Sequence, residues 1–242
     1  MDNNLNNFSN SEAVDILKKL TSATAISGEE NEAFEIAKEY LKDYGEIKSD
    51  NFGNLICIIS PYKKGGVNLL LDAHMDEIGF AVVDITNEGF LKIADISGND
   101  IRVLTASEVY IISGEKKYAG LITSKPPHLS SKDEYKKPTP LSEAAVDVGM
   151  DKQAAEKIFK IGDKVVLKGE LKLTPTGRVI SKALDNRASC FALIEAAKKL
   201  KDKKLDIGLA IALSTQEEVG LRGASAVAYA LEPTHANTCH CC

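Results

Sequence analysis

Histidine and acidic residues follow short apolar runs, or precede a helix-like segment, at three places in this sequence. In DAHMDEIGF, His74 and Asp76 come just after the run VNLLL. In ISKALDNRAS, Asp185 precedes a helix-like segment, and in AIALSTQEEVGLRG, Glu217 and Glu218 follow an apolar segment. Because ligands bind at the carboxyl ends of strands in open α/β sheets, these side chains are candidates for a single site.

The types and spacing of these residues favour metal chemistry. His74 and Asp76 point to the same side of an extended strand, so His74 can bind a metal while Asp76 orients it. Asp185 can cap backbone N–H groups or bridge two cations. The adjacent Glu217 and Glu218 can diverge, one as a metal ligand and the other as a proton-transfer group. Burying several carboxylates together is costly without cations, and a pair of divalent metals removes that cost.

Each motif also has a simpler structural interpretation. A lone His-x-Asp is about as often a surface or capping feature, and a lone Asp185 is more often a helix N-cap. A Glu-Glu pair is usually solvated, but Glu217 and Glu218 lie between the apolar run LAIAL and VGLRGA, which favours a functional role. His128 in SKPPHL is interpreted as a contact in a proline-flanked loop rather than as a ligand.

The elements that must position these residues follow from hydrophobic periodicity. Helical spacing predicts a first helix over 11–23, and SGEE, which begins at Ser27, predicts the opening of a second helix that continues to Leu41. The apolar runs 54–60 and 67–71 predict two neighbouring strands of a covered sheet.

The middle of the chain is different in texture. From about residue 79 to 172, short β-like segments are punctuated by Gly, Asn and Asp, with one helix near 152–159. Helix and strand alternate again afterwards, with helices over 187–200 and 222–230 and an apolar strand over 207–213.

These patterns predict an α/β fold with an insertion. The α/β domain is assigned to residues 1–77 and 174–242, and the inserted β-rich domain to residues 78–173.

Bulk properties narrow the class of ligand. The chain has 242 residues, 27% of them charged, and a net charge of -5, which gives no reason to expect nucleic acid or an anionic membrane as partner. A small or peptide-like ligand is favoured. The polar N-terminus and the lack of a long apolar run predict a cytoplasmic protein, and Cys57 and Cys190 are predicted to be buried thiols.

The motifs DAHMDEIGF, SKPPHL, ALDNRAS and STQEEVGLRGA, in this order, closely resemble the cytosolic two-metal aminopeptidases of the glutamyl and deblocking aminopeptidase family. These are the tetrahedral aminopeptidases, and some members have been named cellulases or endoglucanases. The resemblance implies a phosphorylase/hydrolase-like mixed sheet covered by helices and interrupted by a small β-barrel-like dimerisation domain. It also implies hydrolysis of N-terminal residues from short peptides and assembly into homo-oligomers, from dimers to dodecamers.

The resemblance also implies roles for individual residues. His74 is similar to a ligand of one metal, Asp185 to the carboxylate that bridges two, and Glu218 to a ligand of the second. Glu217 is similar to the general base, and Asp76 to the residue that orients His74. Family members use two divalent ions, zinc or cobalt, and tend to have a non-proline cis peptide after the bridging aspartate, here Asp185-Asn186.

The last part of the sequence departs from the family pattern. Members supply two further ligands, an aspartate on a strand of the form IAxDV and a histidine near the C-terminus, and neither has a matching position here. The resemblance therefore implies a C-terminally incomplete site with weakened metal binding. In the segment THANTCHCC, the adjacent Cys-His-Cys-Cys lacks the spacer that lets a chain wrap a tetrahedral ion, so a non-native end is favoured over a metal site.

The sequence thus predicts a metal-dependent aminopeptidase. One alternative is a catalytically inactive assembly or regulatory subunit of the same fold, which the two unmatched ligands favour. Another is a related two-metal carboxypeptidase or deacylase, which shares the logic of the site but usually carries a differently built insertion.

Overall fold

A computed structural model describes residues 12–129, 131 and 136–240. The chain divides into two compact units, one formed by Met1–Glu77 with Gly169–Cys242 and the other by Ile78–Lys168. The sequence placed the second boundary after residue 173, whereas residues 169–173 group with the first unit.

The regular elements are named here in chain order. The helices are α1 Glu12–Ser22, α2 Asn31–Leu41, α3 Lys152–Ile158, α4 Leu184–Leu200 and α5 Arg222–Leu231. The strands are β1 Glu46–Ser49, β2 Leu55–Ser60, β3 Asn68–His74, β4 Gly79–Ile85, β5 Leu91–Ile96, β6 Glu108–Ser113, β7 Lys116–Thr123, β8 Ala145–Asp147, β9 Lys164–Leu167, β10 Lys172–Leu173, β11 Val179–Ile180, β12 Gly208–Ser214 and β13 His235–Thr238. Short 3-10 turns lie at Ile101–Val103, Pro127–Leu129 and Leu141–Glu143.

The main sheet of the first unit has the strand order β1-β2-β12-β3-β13. Strand β12 is antiparallel to β2 and parallel to β3, and β13 is parallel to β3. The prediction that β2 and β3 are neighbours was wrong, because β12 lies between them. Every residue of β12 is buried, and an apolar strand of this kind is most stable at the centre of a sheet with a partner on each side.

Helices cover both faces of this sheet. Helices α1, α2 and α4 contribute to one apolar cluster, and α5 contributes to a smaller one on β2, β3 and β12. Cys57 and Cys190 are buried free thiols in the larger cluster, as predicted, and burial raises the pKa of Cys57 to about 11. The predicted α/β class is confirmed. Close packing on both faces holds β3 and β12, the two strands whose C-terminal ends lead into His74 and into Glu217 and Glu218.

Helix α2 begins later than the SGEE motif predicted. The helix starts at Asn31, and its N-cap residue, Glu30, makes no side-chain capping hydrogen bond. The Ser27 hydroxyl donates instead to Asp76 Oδ2 at 2.6 Å. The local pattern was that of a capping box, but its polar groups are used for tertiary contacts.

The second unit contains a closed antiparallel barrel with the strand order β4-β5-β8-β7-β6-β9. Its interior is filled by alternating side chains from the strands, including Phe80, Leu91, Ile111 and Val146, and α3 adds Ala155. The predicted β-barrel-like insertion is therefore confirmed. Among the described residues, no helix has the length and apolar character required to span a membrane.

Candidate metal centre

His74 is the last residue of β3, and its side chain is only 1% exposed. Its Nδ1 lies 3.2 Å from the Asp76 carbonyl oxygen and 3.5 Å from Asp76 Oδ1. Its Nε2 is buried and has no hydrogen-bond partner among the described residues. The ring is therefore held through Nδ1, which leaves Nε2 as the atom aimed at the acidic groups.

Asp76 joins three segments of the first unit. Its carboxylate accepts hydrogen bonds from the Ser27 hydroxyl at 2.6 Å and from the backbone N–H groups of Glu217 and Glu218, both at 3.1 Å. Burial opposes ionisation of this group, but these bonds and His74 outweigh burial and lower the pKa of Asp76. Asp76 is thus an ionised acceptor at neutral pH.

Asp185 reaches the same site from the start of α4. Its Oδ1 lies 3.2 Å from His74 Nε2. The backbone of Asp185 and Asn186 is non-helical, and the peptide bond between them is cis, as the resemblance implied. Asp185 therefore precedes the regular part of α4, a place in the chain that also suits an N-cap, and its Oδ1 is directed towards His74.

Glu217 and Glu218 lie in the turn that follows β12. Glu217 Oε2 is 3.6 Å from His74 Nε2, and one ligand atom from each of His74, Glu217 and Glu218 can be chosen within 4.8 Å of one another. Gln216, which precedes them, has a φ of 54°, and this left-handed residue reverses the chain so that the pair turns back over the strand end.

The acidic cluster changes the ionisation of its members. Burial and the neighbouring charges of Glu217, Asp76 and Asp185 raise the pKa of Glu218 to about 7, although His74 opposes the shift. Burial lowers the pKa of His74, but the hydrogen bond and charge of Asp76, together with Glu217 and Asp185, outweigh it and raise the pKa overall. Such a concentration of negative charge attracts cations.

A second group shares His74. His240 Nε2 lies 3.6 Å from Asp185 Oδ1, and one ligand atom from each of His74, Asp185 and His240 can be chosen within 4.8 Å of one another. Asp185 and Glu218, both predicted as ligands, fall in different groups. His240 was not predicted as a site residue. The spacing of Cys-His-Cys-Cys excludes a metal site formed by that segment alone, but it does not reveal that His240 approaches residues from other segments. Cys241 and Cys242 lie outside the described residues.

Three supporting residues were also missed. Glu30 Oε1 accepts from the backbone N–H groups of Gly28 and Gln216, at 2.8 and 3.0 Å. Arg187 is fully buried and donates to the carbonyl of Met75, the residue after His74, at 3.0 Å. Asn54 Oδ1 accepts from the backbone N–H of Thr215 at 2.8 Å. For Arg187 the sequence did offer a signal, because this charged residue lies within the motif ALDNRAS, two positions after Asp185.

His128 is exposed in the 3-10 turn Pro127–Leu129 and belongs to neither group, in keeping with its interpretation as a loop residue.

The donors present fit a divalent transition metal. An imidazole nitrogen without a hydrogen-bond partner faces carboxylate oxygens, and mixed nitrogen and oxygen donors suit zinc, with cobalt able to occupy the same kind of site. The buried His74 Nε2 lies 3.2 Å from Asp185 Oδ1 and is the nitrogen available to a cation. The residues around His74 can therefore hold a metal.

Comparison with known proteins gives a consistent relationship. The sequence profile of the M42 glutamyl aminopeptidase family matches residues 53–241. A protein of Acetivibrio thermocellus named as an aminopeptidase is 36% identical over 222 residues, covering 90% of this chain and 63% of its own length. The glutamyl aminopeptidase of Lactococcus lactis is 31% identical over 222 residues, covering 88% of this chain and 62% of its own length.

Solved structures agree. The Pyrococcus horikoshii TET1 peptidase, described as assembling into a tetrahedron or a large octahedral shell, superposes with a TM-score of 0.86 at 34% identity, covering 96% of this chain and 70% of that one. The chain spans less than two thirds of the length of the curated relatives it matches, for example 63% and 62%. The match of motifs, barrel and sheet shows that this chain belongs to the M42 glutamyl aminopeptidase family.

Proposed function

We propose that this chain carries the centre of a metal-dependent aminopeptidase that removes N-terminal residues from short peptides. The observation that carries the proposal is His74 Nε2, which is buried, lacks a hydrogen-bond partner among the described residues, and lies 3.2 Å from Asp185 Oδ1 and 3.6 Å from Glu217 Oε2. An imidazole nitrogen in this environment is suited to metal binding. Membership of an aminopeptidase family supports the reaction class.

The proposed ligands are His74, Asp185 and Glu218, for one or two ions of zinc or cobalt. When bound, such ions polarise a peptide carbonyl and lower the pKa of water. Asp76 orients His74 through Nδ1, at 3.5 Å from its Oδ1, and so fixes the direction of Nε2.

Glu217 is the proposed general base. Its side chain is 23% exposed, so solvent can reach it, and its backbone N–H is anchored on Asp76 at 3.1 Å. A carboxylate held in this way can take a proton from the attacking water and pass it to the leaving nitrogen. Glu218 is proposed as a metal ligand instead, as the family resemblance implies.

We further propose that the chain forms homo-oligomers through its barrel unit. The relative from Pyrococcus horikoshii assembles into closed shells. In this chain the barrel unit leaves large apolar side chains open to solvent, with Ile161 74% and Val103 66% exposed. These side chains are available for contacts with another subunit, and the assembly of the relative is the observation that supports the proposal. Light scattering would measure the mass, and a monomer at micromolar concentration would contradict this part of the proposal. A cytoplasmic location stays a prediction from the sequence.

The central experiment combines metal analysis with peptide hydrolysis. Purified protein loaded with zinc or cobalt is expected to release N-terminal amino acids from short peptides with a free α-amine. Glu217→Gln should remove the activity by a factor of about 10² or more while retaining metal, and Glu35→Gln, at an exposed carboxylate on α2, should change neither. Unchanged turnover in Glu217→Gln would show that Glu217 is not the base.

Substrate choice separates the alternatives. Release of an acyl group from N-acylated peptides, or of C-terminal residues, would favour a deacylase or carboxypeptidase. Metal bound at one ion or more per chain without any hydrolysis would favour an assembly or regulatory subunit. Less than one ion per chain would contradict the proposed centre.

A further inference from the structure

His240 follows a segment whose backbone is hydrogen-bonded to β3 and to Asn186 in α4. Strand β13 runs parallel to β3, with Thr238 opposite Asp72. The backbone N–H of Cys239 then donates to the Asp72 carbonyl at 2.7 Å, and its carbonyl accepts from Asn186 Nδ2 at 2.7 Å. The residue before His240 is thus tied to both β3 and the start of α4.

This anchoring brings His240 to His74 and Asp185. The two imidazole rings have centroids 5.4 Å apart at an angle of 41°, and His240 Nε2 is 3.6 Å from Asp185 Oδ1. The same Asp185 oxygen is 3.2 Å from His74 Nε2. Two imidazoles therefore approach one carboxylate oxygen from different directions.

The chemistry of the three donors is that of a metal position. His74 Nε2 is buried and without a hydrogen-bond partner among the described residues, and it points into the group. Its other ring nitrogen lies against Asp76, so in the neutral ring that donates from Nδ1 the lone pair of Nε2 faces the group. Two imidazole nitrogens and a carboxylate oxygen are a common donor set for zinc with an open position.

We propose that His240, with His74 and Asp185, binds a divalent transition metal and so supplies a ligand that the family motifs do not assign. The inference rests on the proposed function insofar as His74 and Asp185 serve in both. It differs in giving His240 a role in the centre, whereas the sequence analysis assigned no metal site to the segment that contains it. A simple ion pair between His240 and Asp185, at side chains 43% and 53% exposed, is the outcome against which it is tested.

Zinc affinity of the metal-free full chain, measured by competition with a chromophoric chelator, is the first test. His240→Ala should weaken zinc binding by about 10- to 100-fold. His235→Ala is the matched control. His235 is an exposed histidine at the start of β13, the strand that precedes His240, and it belongs to neither metal group. It should leave affinity unchanged. Equal affinity in His240→Ala and the unaltered protein would overturn the inference.

Cobalt gives a readout that does not depend on turnover. In the cobalt-loaded protein, the visible absorption bands should shift in His240→Ala and stay unchanged in His235→Ala, because the bands report the donor set. The double variant Cys241→Ser, Cys242→Ser tests the two cysteines that follow His240 in the sequence. If the double cysteine variant lost the absorption bands while His240→Ala kept them unchanged, the inference would be overturned and the metal would be assigned to sulfur.

The two proposals fail separately. Zinc binding that depends on His240 without peptide hydrolysis would support the ligand and contradict the aminopeptidase. Hydrolysis that depends on Glu217, together with unchanged metal affinity and an unchanged cobalt spectrum in His240→Ala, would support the aminopeptidase and contradict His240 as a ligand.

Discussion

Asp76 Oδ1 accepts a hydrogen bond from the backbone N–H of Glu217 at 3.1 Å, which joins the end of β3 to the turn after β12. The same carboxylate lies beside His74 Nδ1. A displacement of either segment is therefore transmitted to the other through a charged hydrogen bond whose acceptor, Asp76, is fully buried. This contact makes Asp76 the residue on which the relative position of His74 and Glu217 depends.

Asp76→Asn is expected to lower metal affinity and stability together. An amide has one acceptor oxygen in place of two, so at least one of the N–H groups of Glu217 and Glu218 would lose its partner. We expect a loss of about 1–3 kcal/mol in the free energy of unfolding and about 10- to 100-fold in zinc affinity. Urea denaturation and chelator competition would measure the two effects.

The control for this change is Asp43→Asn, at an exposed carboxylate just after α2. It should alter neither quantity by a measurable amount. If Asp76→Asn lost stability but kept its full zinc affinity, Asp76 would be a structural residue without a role in orienting His74.

Arg187 is expected to be essential for the stability of the first unit. The guanidinium is fully buried and donates to the carbonyls of Leu20, Ala23, Ala25 and Met75 and to Glu77 Oε1. Arg187→Ala should cost about 3–5 kcal/mol, because carbonyls and a carboxylate would be left buried with fewer partners. Arg187→Lys should recover part of this loss, since an ammonium has three donors in place of five.

Unfolding midpoints in urea would test this, with Arg178→Lys as the control at an exposed arginine. An Arg187→Ala protein as stable as the unaltered one would show that Lys182, which is 2.7 Å from Glu77 Oε2, can satisfy the buried carboxylate alone.

The fold was largely predictable because its strongest signals are local. The apolar runs of β2, β3 and β12 and the helical spacing of α1 carry their own burial information. The order of β2, β12 and β3 was not predictable, since it depends on which strand gains most from two partners. Strand β13 was missed because all four of its residues are exposed and its pairing with β3 depends on backbone hydrogen bonds.

The candidate site divides in the same way. His74 and Asp185 follow from the rule that ligands bind at the ends of strands and helices. The approach of His240 depends on the register of β13, which periodicity does not contain. Ser27 and Glu30 matched a local capping pattern, and only the folded chain shows that their partners are Asp76 and the backbone of Gln216.

Glu30 should make stability depend on pH. Burial raises the pKa of this carboxyl, the bonds from Gly28 and Gln216 oppose the shift, and the charge of Asp76 adds to it. Because the folded-state pKa lies above the unfolded value, this group's stabilising contribution is complete below the unfolded pKa and is lost as pH rises through the folded pKa. Glu30→Gln should therefore gain stability relative to the unaltered protein as pH rises from the unfolded pKa, about 4, through the raised folded pKa.

The amide in this variant keeps the relevant acceptor. One oxygen, Oε1, receives both backbone bonds, and the carbonyl of glutamine can do the same. Free energies of unfolding in urea at several pH values would give the difference, with Glu29→Gln, at the exposed neighbouring carboxylate, as the control. A difference for Glu30→Gln that shrinks as pH rises would show that folding favours the ionised form of Glu30.

Gly223, in α5, lies close to the residue that follows β12. A Cβ added there would collide with Asn54 Oδ1 and with the backbone oxygen and nitrogen of Thr215, while Asn54 itself accepts from Thr215 N at 2.8 Å. Gly223→Ala must push the helix or the strand end away, which should cost about 1–3 kcal/mol. Since Glu217 follows this strand end directly, metal affinity should fall as well.

The control for Gly223→Ala is Gly66→Ala, in the loop before β3, where the added Cβ would meet the Lys63 Cβ at 3.0 Å and the chain can yield. Its effect on stability should be smaller, and its effect on zinc affinity should be absent. A Gly223→Ala protein that lost stability but bound zinc as tightly as the unaltered chain would show that the Glu217 turn is held by Asp76 and Glu30 independently of α5. In that case the close approach of α5 would serve packing alone.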